Sequence, residues 1–385
     1  MCPPEVRFDG FIEEGTVRMI VIGADTHKSS HTFAAVDAAT GALRGTLTVS
    51  STRAGAEQAL AWARGLDRER VWAIEDCRHV SGRLERGVVA HGERSVRVAP
   101  KLMAGARRGA RERGKSDPID ATAVARAAIR EGTDRLPGAQ LDQRALEIRL
   151  LLDHHDDLVS DRSDEQRRLR WHLHDLFEDL EIPAGALDRD IWLTRLERRL
   201  RAQRPTARVR IAREQIRSVR ASTKRIRALE GELGTLVGDY APQLLAEVGC
   251  GPLTAAKLIG ELAGAERFAT DAQLARTAGV APIPVSSGRR DRHRLDRGGN
   301  RQLNLALHRL AVNKGRLDPT TAQYLERKQA EGKSRMEALR CLKRHLARRV
   351  WHLLRDGAPT PDQDTNTHMT NNKNVKAPAP KPALT

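Results

Sequence analysis

The chain has 385 residues, enough for two or three domains with cores of ordinary size. Lys and Arg number 67 against 50 Asp and Glu, giving a formal net charge of +17 and a pI near 10.5. That surplus points to a polyanionic partner, nucleic acid before an anionic membrane surface. There is no apolar run of about 18 residues, no basic-then-apolar leader and no paired cysteine spacing among Cys2, Cys77, Cys250 and Cys341. Membrane spans, a disulfide framework and a zinc site are thereby excluded, and a cytoplasmic, nucleoid-associated protein is expected.

Residues 1–17 read as a loose leader. Arg18-Met-Ile-Val-Ile-Gly-Ala-Asp25 is a short apolar run ending in an acid, the pattern of a buried strand. Thr32 to Val36 and Leu43 to Val49 flank the turn Asp37 to Gly41, which predicts a meander with its first strand at the centre. A helix over about 52–65, a buried strand from Val71 to Cys77, a helix over 81–91 and a strand from Val96 to Ala99 follow. This β-α-β order implies a partly parallel sheet. Residues 101–116 carry six Lys or Arg against Glu112, and Arg107, Arg108, Arg111 and Lys115 are candidate phosphate contacts. The stretch Lys115 to Arg126 opens a helix that closes near residue 131, with Pro118 suited to its first turn. Asp117 and Asp120 share a face of that helix. They either grip one hard cation or form a variant of the capping box.

From about 140 to 236 the pattern is helical, broken at Pro183 and Pro205. The seam of Leu146, Leu150, Asp153/His154 and Asp157/Leu158 is only partly apolar. Arg195 to Arg227 holds 13 Lys or Arg against Glu197 and Glu214. A basic helical hairpin or coiled coil is expected, as a nucleic-acid arm, a dimerisation stalk or a solvated charged face. Leu244 to Leu262 reads as helix, Gly249-Cys250-Gly251 turn, helix. It is either a helix-hairpin-helix whose turn offers backbone N–H groups to phosphate or an ordinary corner. Ser286-Ser287-Gly288 reads as a turn, after which six arginines crowd around Gly298-Gly299-Asn300. Arg289, Arg290, Arg294, Asn300 and Arg301 are the nucleic-acid contacts expected there. Leu303 to Val312 and about 319–355 are predicted helices, and the Pro-, Asn- and Thr-rich tail beyond is expected to be disordered.

Asp25 closes one buried strand and Glu75 lies within another. In an open α/β sheet, acids at strand ends can meet acids on a helix packed against that sheet. Four carboxylates so placed repel unless cations sit among them, and their oxygens are the ligands Mg²⁺ takes. Two such ions flanking a phosphodiester can activate the attacking oxygen and stabilise the leaving one. Taken alone, Asp25 is equally a turn residue. Glu75 is harder to read that way, because an unpaired carboxylate buried behind Val71-Trp-Ala-Ile is costly.

Ala24-Asp-Thr-His-Lys28, Ala73-Ile-Glu-Asp76 and Lys115-Ser-Asp-Pro-Ile-Asp-Ala121 resemble the three acidic motifs of the DEDD transposases, the insertion-sequence 110 family. Gly279-Val-Ala-Pro282, Ser287-Gly288 and Gly299-Asn-Arg-Gln-Leu303 resemble that family's C-terminal transposase domain, so that the motif order spans roughly 19–355. Asn304 departs from the pattern, which often has arginine after the leucine, and one phosphate contact is lost with it. The resemblance implies an RNase H/RuvC-like α/β domain over 18–135, a basic helical region over 136–236 and a mostly helical transposase domain over 237–355. It implies Mg²⁺ or Mn²⁺ on Asp25, Glu75, Asp117 and Asp120. It also implies a serine that attacks DNA and forms a phosphoserine intermediate, Ser287 by position with Ser286 in reserve. No histidine–acid pair adjoins that serine, so a metal held by the acidic domain is the expected activator, with both domains, from one subunit or two, forming a composite site. An element-encoded RNA that pairs with DNA, and a homodimer or homotetramer, are implied as well. Aromatics are only 3%, which suits backbone binding with base pairing left to read sequence. The competing readings are a metal-only junction nuclease, in which water attacks, and a basic nucleic-acid-binding protein without catalysis.

Overall fold

The computed structural model describes residues 19–75, 80–100, 102–103, 116–139, 142–287, 290–294, 296 and 298–356. The leader, the tail, and Arg107, Arg108, Arg111, Lys115 and Arg289 lie outside these residues.

The N-terminal unit is a five-stranded mixed sheet in the order β3-β2-β1-β4-β5. Its strands are β1 (Ile20–Thr26), β2 (Ser30–Asp37), β3 (Leu43–Ser50), β4 (Arg70–Glu75) and β5 (Ser95–Val98). The expected meander is present, with β1 central: it runs antiparallel to β2 and parallel to β4. β1 is buried along its whole length, as its unbroken apolar run requires. One face of the sheet packs Ile22, Phe33, Trp72 and Ile74 against helices α1 (Arg53–Arg64) and α2 (Gly82–Ala90). Phe33 and Trp72 meet edge to face, with centroids 5.5 Å apart. The other face packs Val21, Ala73 and Val98 against Val124 and Ala128 of α3 (Asp117–Glu131).

α3 lies unusually close to β1. A Cβ on Gly23 would come within 2.0 Å of the Ala121 carbonyl oxygen and 2.5 Å of the Ala125 nitrogen. Only glycine admits this approach, and it brings the first turn of α3 over the end of β1.

The rest of the described chain is mostly helical. α4 (Gln143–Leu176) and α6 (Ala207–Tyr240), each 34 residues or about 50 Å long, form a hairpin with α5 (Asp190–Arg201) against its distal half. Leu169, Leu173, Leu196, Leu200, Ala212 and Ile216 make its distal core. Its base belongs elsewhere. Ile148 and Leu152 of α4 and Leu233 and Val237 of α6 are part of the C-terminal core. The helices of that core are the single turn α7 (Pro242–Leu245), α8 (Pro252–Leu262), α9 (Asp271–Thr277), α10 (Arg301–Leu317), α11 (Pro319–Ala330) and α12 (Arg335–Asp356).

Three expectations change here: the single helix read over about 319–355 is two, α11 and α12, parted at Gly332 (φ +87°). Ser286 and Ser287 are in a strand rather than a turn: β6 (Ile283–Ser287) pairs antiparallel with β7 (Arg290–Arg294). The helix-hairpin-helix has only the one-turn α7 as its first arm, and Gly249 turns at φ +86° with the backbone of Asn313 and Lys314 packed on it. That glycine makes room for α10, whereas Gly251, at the head of α8, faces open space.

Candidate metal centre and nucleic-acid contacts

Parallel register pairs Ala24 of β1 with Ile74 of β4, so Asp25 and Glu75 stand abreast at the carboxyl ends of adjacent strands. The close seating of α3 adds its first turn. Asp117 is the first residue of the helix and half-exposed; Asp120, one turn on, is buried. Ser116, not Asp117, occupies the N-cap position, and its side chain makes no capping bond. The cap reading of Asp117 therefore fails by one residue, and both acids lie where the positive end of the helix dipole favours them.

His27 completes the cluster. It sits two residues beyond Asp25, the spacing that returns a side chain to the same side of an extended chain. Its Nε2 lies 3.1 Å from Asp25 Oδ2 and 3.5 Å from Asp117 Oδ1. One ligand atom from each of Asp25, His27 and Asp117 falls within 4.8 Å of the others. Burial pushes the Asp25 carboxyl above its ordinary range; His27 opposes the shift, and the charges of Asp120 and Asp117 add to it. Asp25 thus feels two further carboxylates, the situation that a bound cation relieves. The sequence pattern by itself assigns His27 no role, although its spacing from Asp25 is plain.

The serine candidates lie in the C-terminal unit. Ser287 ends β6 opposite Arg290, and Ser286 pairs with Asp291. Arg294, at the far end of the hairpin opposite Ile283, is exposed. Asn300 is engaged within the fold: its Oδ1 accepts from the N–H groups of Gln302 (2.9 Å) and Leu303 (3.1 Å) as the N-cap of α10, and its Nδ2 donates to Glu261 (2.7 Å). Those bonds position the loop, leaving Arg301 beside it exposed. The loop rests on Gly279, since a Cβ on Gly299 would meet the Gly279 nitrogen at 2.1 Å. Asn304 donates to the Ala278 oxygen at 2.8 Å and accepts from the buried Lys343 at 2.8 Å. A side chain that reads as a missing phosphate contact is a clip in the core.

No helix among the described residues is long and apolar enough to cross a membrane.

Residues 22–178 match a family model described as "Transposase", of the DEDD type associated with IS110, and residues 242–326 match one described as "Transposase IS116/IS110/IS902 family". The chain is 29% identical over 391 aligned positions to the "Insertion element IS116 uncharacterized 44.8 kDa protein" of Streptomyces clavuligerus, covering 88% of this chain and 95% of that one. It is 36% identical over 143 residues to the "Insertion element IS110 uncharacterized 43.6 kDa protein" of Streptomyces coelicolor, covering 36% of this chain and 35% of that one. To the "Insertion element IS900 uncharacterized 42 kDa protein" of Mycobacterium paratuberculosis it is 31% identical over 146 residues, 35% of this chain and 37% of that one. The two higher identities thus span only about a third of either chain, while the IS116 alignment runs nearly end to end. The acidic cluster falls in the first matched segment and the β6–β7 hairpin in the second. The chain belongs to the IS110 family of transposases.

Proposed function

We propose that the protein cuts and rejoins DNA at the ends of an insertion element, with Asp25, Glu75, Asp117 and Asp120 holding a divalent ion and Ser287 as nucleophile. The observation that carries this reading is the convergence of Asp25, His27 and Asp117 within 4.8 Å over a carboxyl group whose burial is already costly. Oxygen-rich donors suit Mg²⁺, and a neighbouring imidazole extends the set towards Mn²⁺. A divalent ion bound there would polarise a phosphoryl oxygen and shield the charge that develops on it. We read the sheet as an RNase H/RuvC-like domain over 18–135, followed by the basic helical region over 136–236 and the transposase domain over 237–355.

In the reaction, the Ser287 hydroxyl gives up its proton and its oxygen bonds to phosphorus as one bridging P–O bond breaks. The departing sugar oxygen takes up a proton. A sugar hydroxyl of the second DNA strand then attacks the phosphoserine ester, restoring the serine and joining the strands. Arginine side chains position the phosphates, and the charge of the buried Asp120, which makes ionisation of Asp25 more costly, is one that a bound cation would offset. A net charge of +17 with 3% aromatics supports backbone binding, with sequence read by base pairing to an element-encoded RNA. A homodimer or homotetramer would bring two DNA ends together.

A recombination assay on a plasmid carrying the element's own ends tests the proposal. Wild type is expected to yield recombinants and a denaturant-resistant protein–DNA adduct. Asp25→Ala should lose recombination; Ser287→Ala should lose both recombination and adduct, and Ser286→Ala should keep both. Cleavage that persists in Ser287→Ala, with no adduct in wild type, would establish the metal-only nuclease instead. Recombination unchanged by joint Glu75→Ala and Asp117→Ala substitution would remove catalysis by the acids altogether. Undiminished site specificity after RNase treatment would remove the RNA.

A further inference from the structure

Two clefts meet at a shared wall. The first, about 720 Å³, opens beside the acidic cluster at His27 and Lys28 and runs along α2 to the start of α4. The second, about 560 Å³, lies in the seam between the sheet and the C-terminal helices and ends at Gly298–Gln302, where the loop after β7 enters α10. Arg97 and Arg149 line both. The seam is held by bonds across it: Arg267 Nε donates to the Gly138 oxygen (2.6 Å), the Gly138 N–H donates to the Arg267 oxygen (3.3 Å), and Arg276 pairs with Glu131 (2.6 Å).

The charge along this path is mostly positive. Arg97 is fixed by Glu85 (Nε to Oε1, 2.6 Å), and Arg149 lies 3.7 Å from Asp153, so the crossing point is built from oriented guanidinium groups. Arg86 in the first cleft and Arg135 and Arg301 in the second are exposed and make no ion pair among the described residues. The carboxylates in the second cleft are engaged internally: Glu261 accepts from Asn300 and Asp296 from the Gly298 N–H. Exposed arginines of this kind are suited to phosphate oxygens.

We propose that this groove takes one strand of DNA by its sugar–phosphate backbone, between the acidic cluster and the loop at Arg301. The inference rests on the reading of the acids as the site of strand cleavage. Its commitment to DNA follows from where the groove begins: the strand lying at the acids is the one to be cut. Its commitment to a single strand follows from size. Each cleft is on the scale of a small-ligand site, roughly 300–1,000 Å³, room for a few nucleotides of one backbone but too little to enclose a duplex.

Binding measured in EDTA separates this proposal from the chemistry. The full-length protein is titrated into a fluorescein-labelled mixed-sequence single strand of DNA, and anisotropy is read over a series of salt concentrations. Joint Arg135→Glu and Arg301→Glu substitution should weaken binding by about tenfold or more and lower the log–log salt slope by about 1.4, since each lost single-strand phosphate contact is worth about 0.7. Arg316→Glu, on an exposed residue outside both clefts, should leave affinity and slope near wild type. Neither substituted arginine makes an ion pair among the described residues, so unchanged circular dichroism and melting are expected; Arg135→Gln with Arg301→Gln gives a milder second test. Equal losses in the double variant and in Arg316→Glu would overturn the proposal. So would a loss confined to a duplex, or to RNA of the same sequence. Asp120→Ala distinguishes the two readings: loss of recombination with strand binding intact supports both, whereas recombination intact in Asp120→Ala sinks the catalytic reading and leaves the groove to stand or fall on the binding data.

Discussion

Gly23→Ala tests whether the seating of α3 on β1 builds the acidic cluster. The new methyl carbon would lie 2.0 Å from the Ala121 carbonyl oxygen and 2.5 Å from the Ala125 nitrogen, both helix backbone that cannot rotate aside. Restoring ordinary contact requires α3 to move off the sheet by about 1 Å or more. Overpacking of this kind costs about 1–3 kcal/mol. Taking 2 as the working value (about), a unit the size of the sheet domain melts roughly 8 °C lower. The same displacement carries Asp117 and Asp120 away from Asp25, and a misplacement of about 1 Å costs about 100-fold in rate. The assays are a thermal melt followed by circular dichroism, with and without Mg²⁺, and plasmid recombination at a temperature where the variant is folded. A folded variant with weakened Mg²⁺ stabilisation and recombination down about 100-fold is expected. Wild-type melting together with wild-type recombination would refute the claim that α3 is pinned by this glycine.

Glu93 accepts a forked pair of bonds from Arg70 (2.6 and 2.7 Å) and one from the Trp72 indole at 3.2 Å. Burial raises its pKa, but Arg70 and Trp72 outweigh burial and hold it below the usual range, so its contribution to stability is present above the unfolded pKa and is lost as pH falls through the folded one. Glu93→Gln should therefore cost about 1–3 kcal/mol at neutral pH, leaving the half-buried Arg70 without its counter-charge, and urea midpoints of wild type and variant should converge as pH falls below about 4. Gly299→Ala would press a methyl to 2.1 Å from the Gly279 nitrogen, so the loop bearing Asn300 and Arg301 must lift; recombination should fall while the melting of the sheet unit is unchanged. The Cys250 thiol is buried and pushed up to about 12 by burial and by Glu247, so at pH 8 about one thiol in 10,000 is ionised. Iodoacetamide under native conditions should leave Cys250 unmodified in peptide mass spectrometry, and labelling at the rate of an exposed thiol would show that this core opens.

The meander, its central strand and the two acids at strand ends are legible in the sequence because a strand buried on both faces leaves an unbroken apolar run, and a charge that ends such a run stands out. His27 is not, because a half-exposed histidine leaves no trace in a hydrophobic pattern; its partners come from β1 and α3, far apart in the chain. The β6–β7 hairpin is hidden for a related reason, and Ser286-Ser287-Gly288 shows only as a turn. In Arg290-Asp-Arg-His-Arg294 every second residue is arginine, an alternation of charge rather than of apolar side chains, and Pro284 interrupts β6. The glycine turn at 249–251 was visible, but the purpose of Gly249 was set by α10, about 60 residues later, whose backbone fills the space a side chain would need.

The basic hairpin cannot be a separate arm joined by a flexible link, because α4 belongs to two cores at once. Its distal half packs Leu169 and Leu173 against α5 and α6, while Ile148 and Leu152 near its start pack with the C-terminal helices. Next to Ile148, α4 meets α8 where a Cβ on Gly260 would come 2.7 Å from the Arg149 Cβ. The glycine seats α4 so tightly that the backbone of Arg149 is fixed on α8, and Arg149 is a residue that lines both clefts. The distal core, the C-terminal core and the residue at which the two clefts cross therefore share one unbroken helix of 34 residues, so the hairpin is built as part of the same framework that holds Arg149 in place.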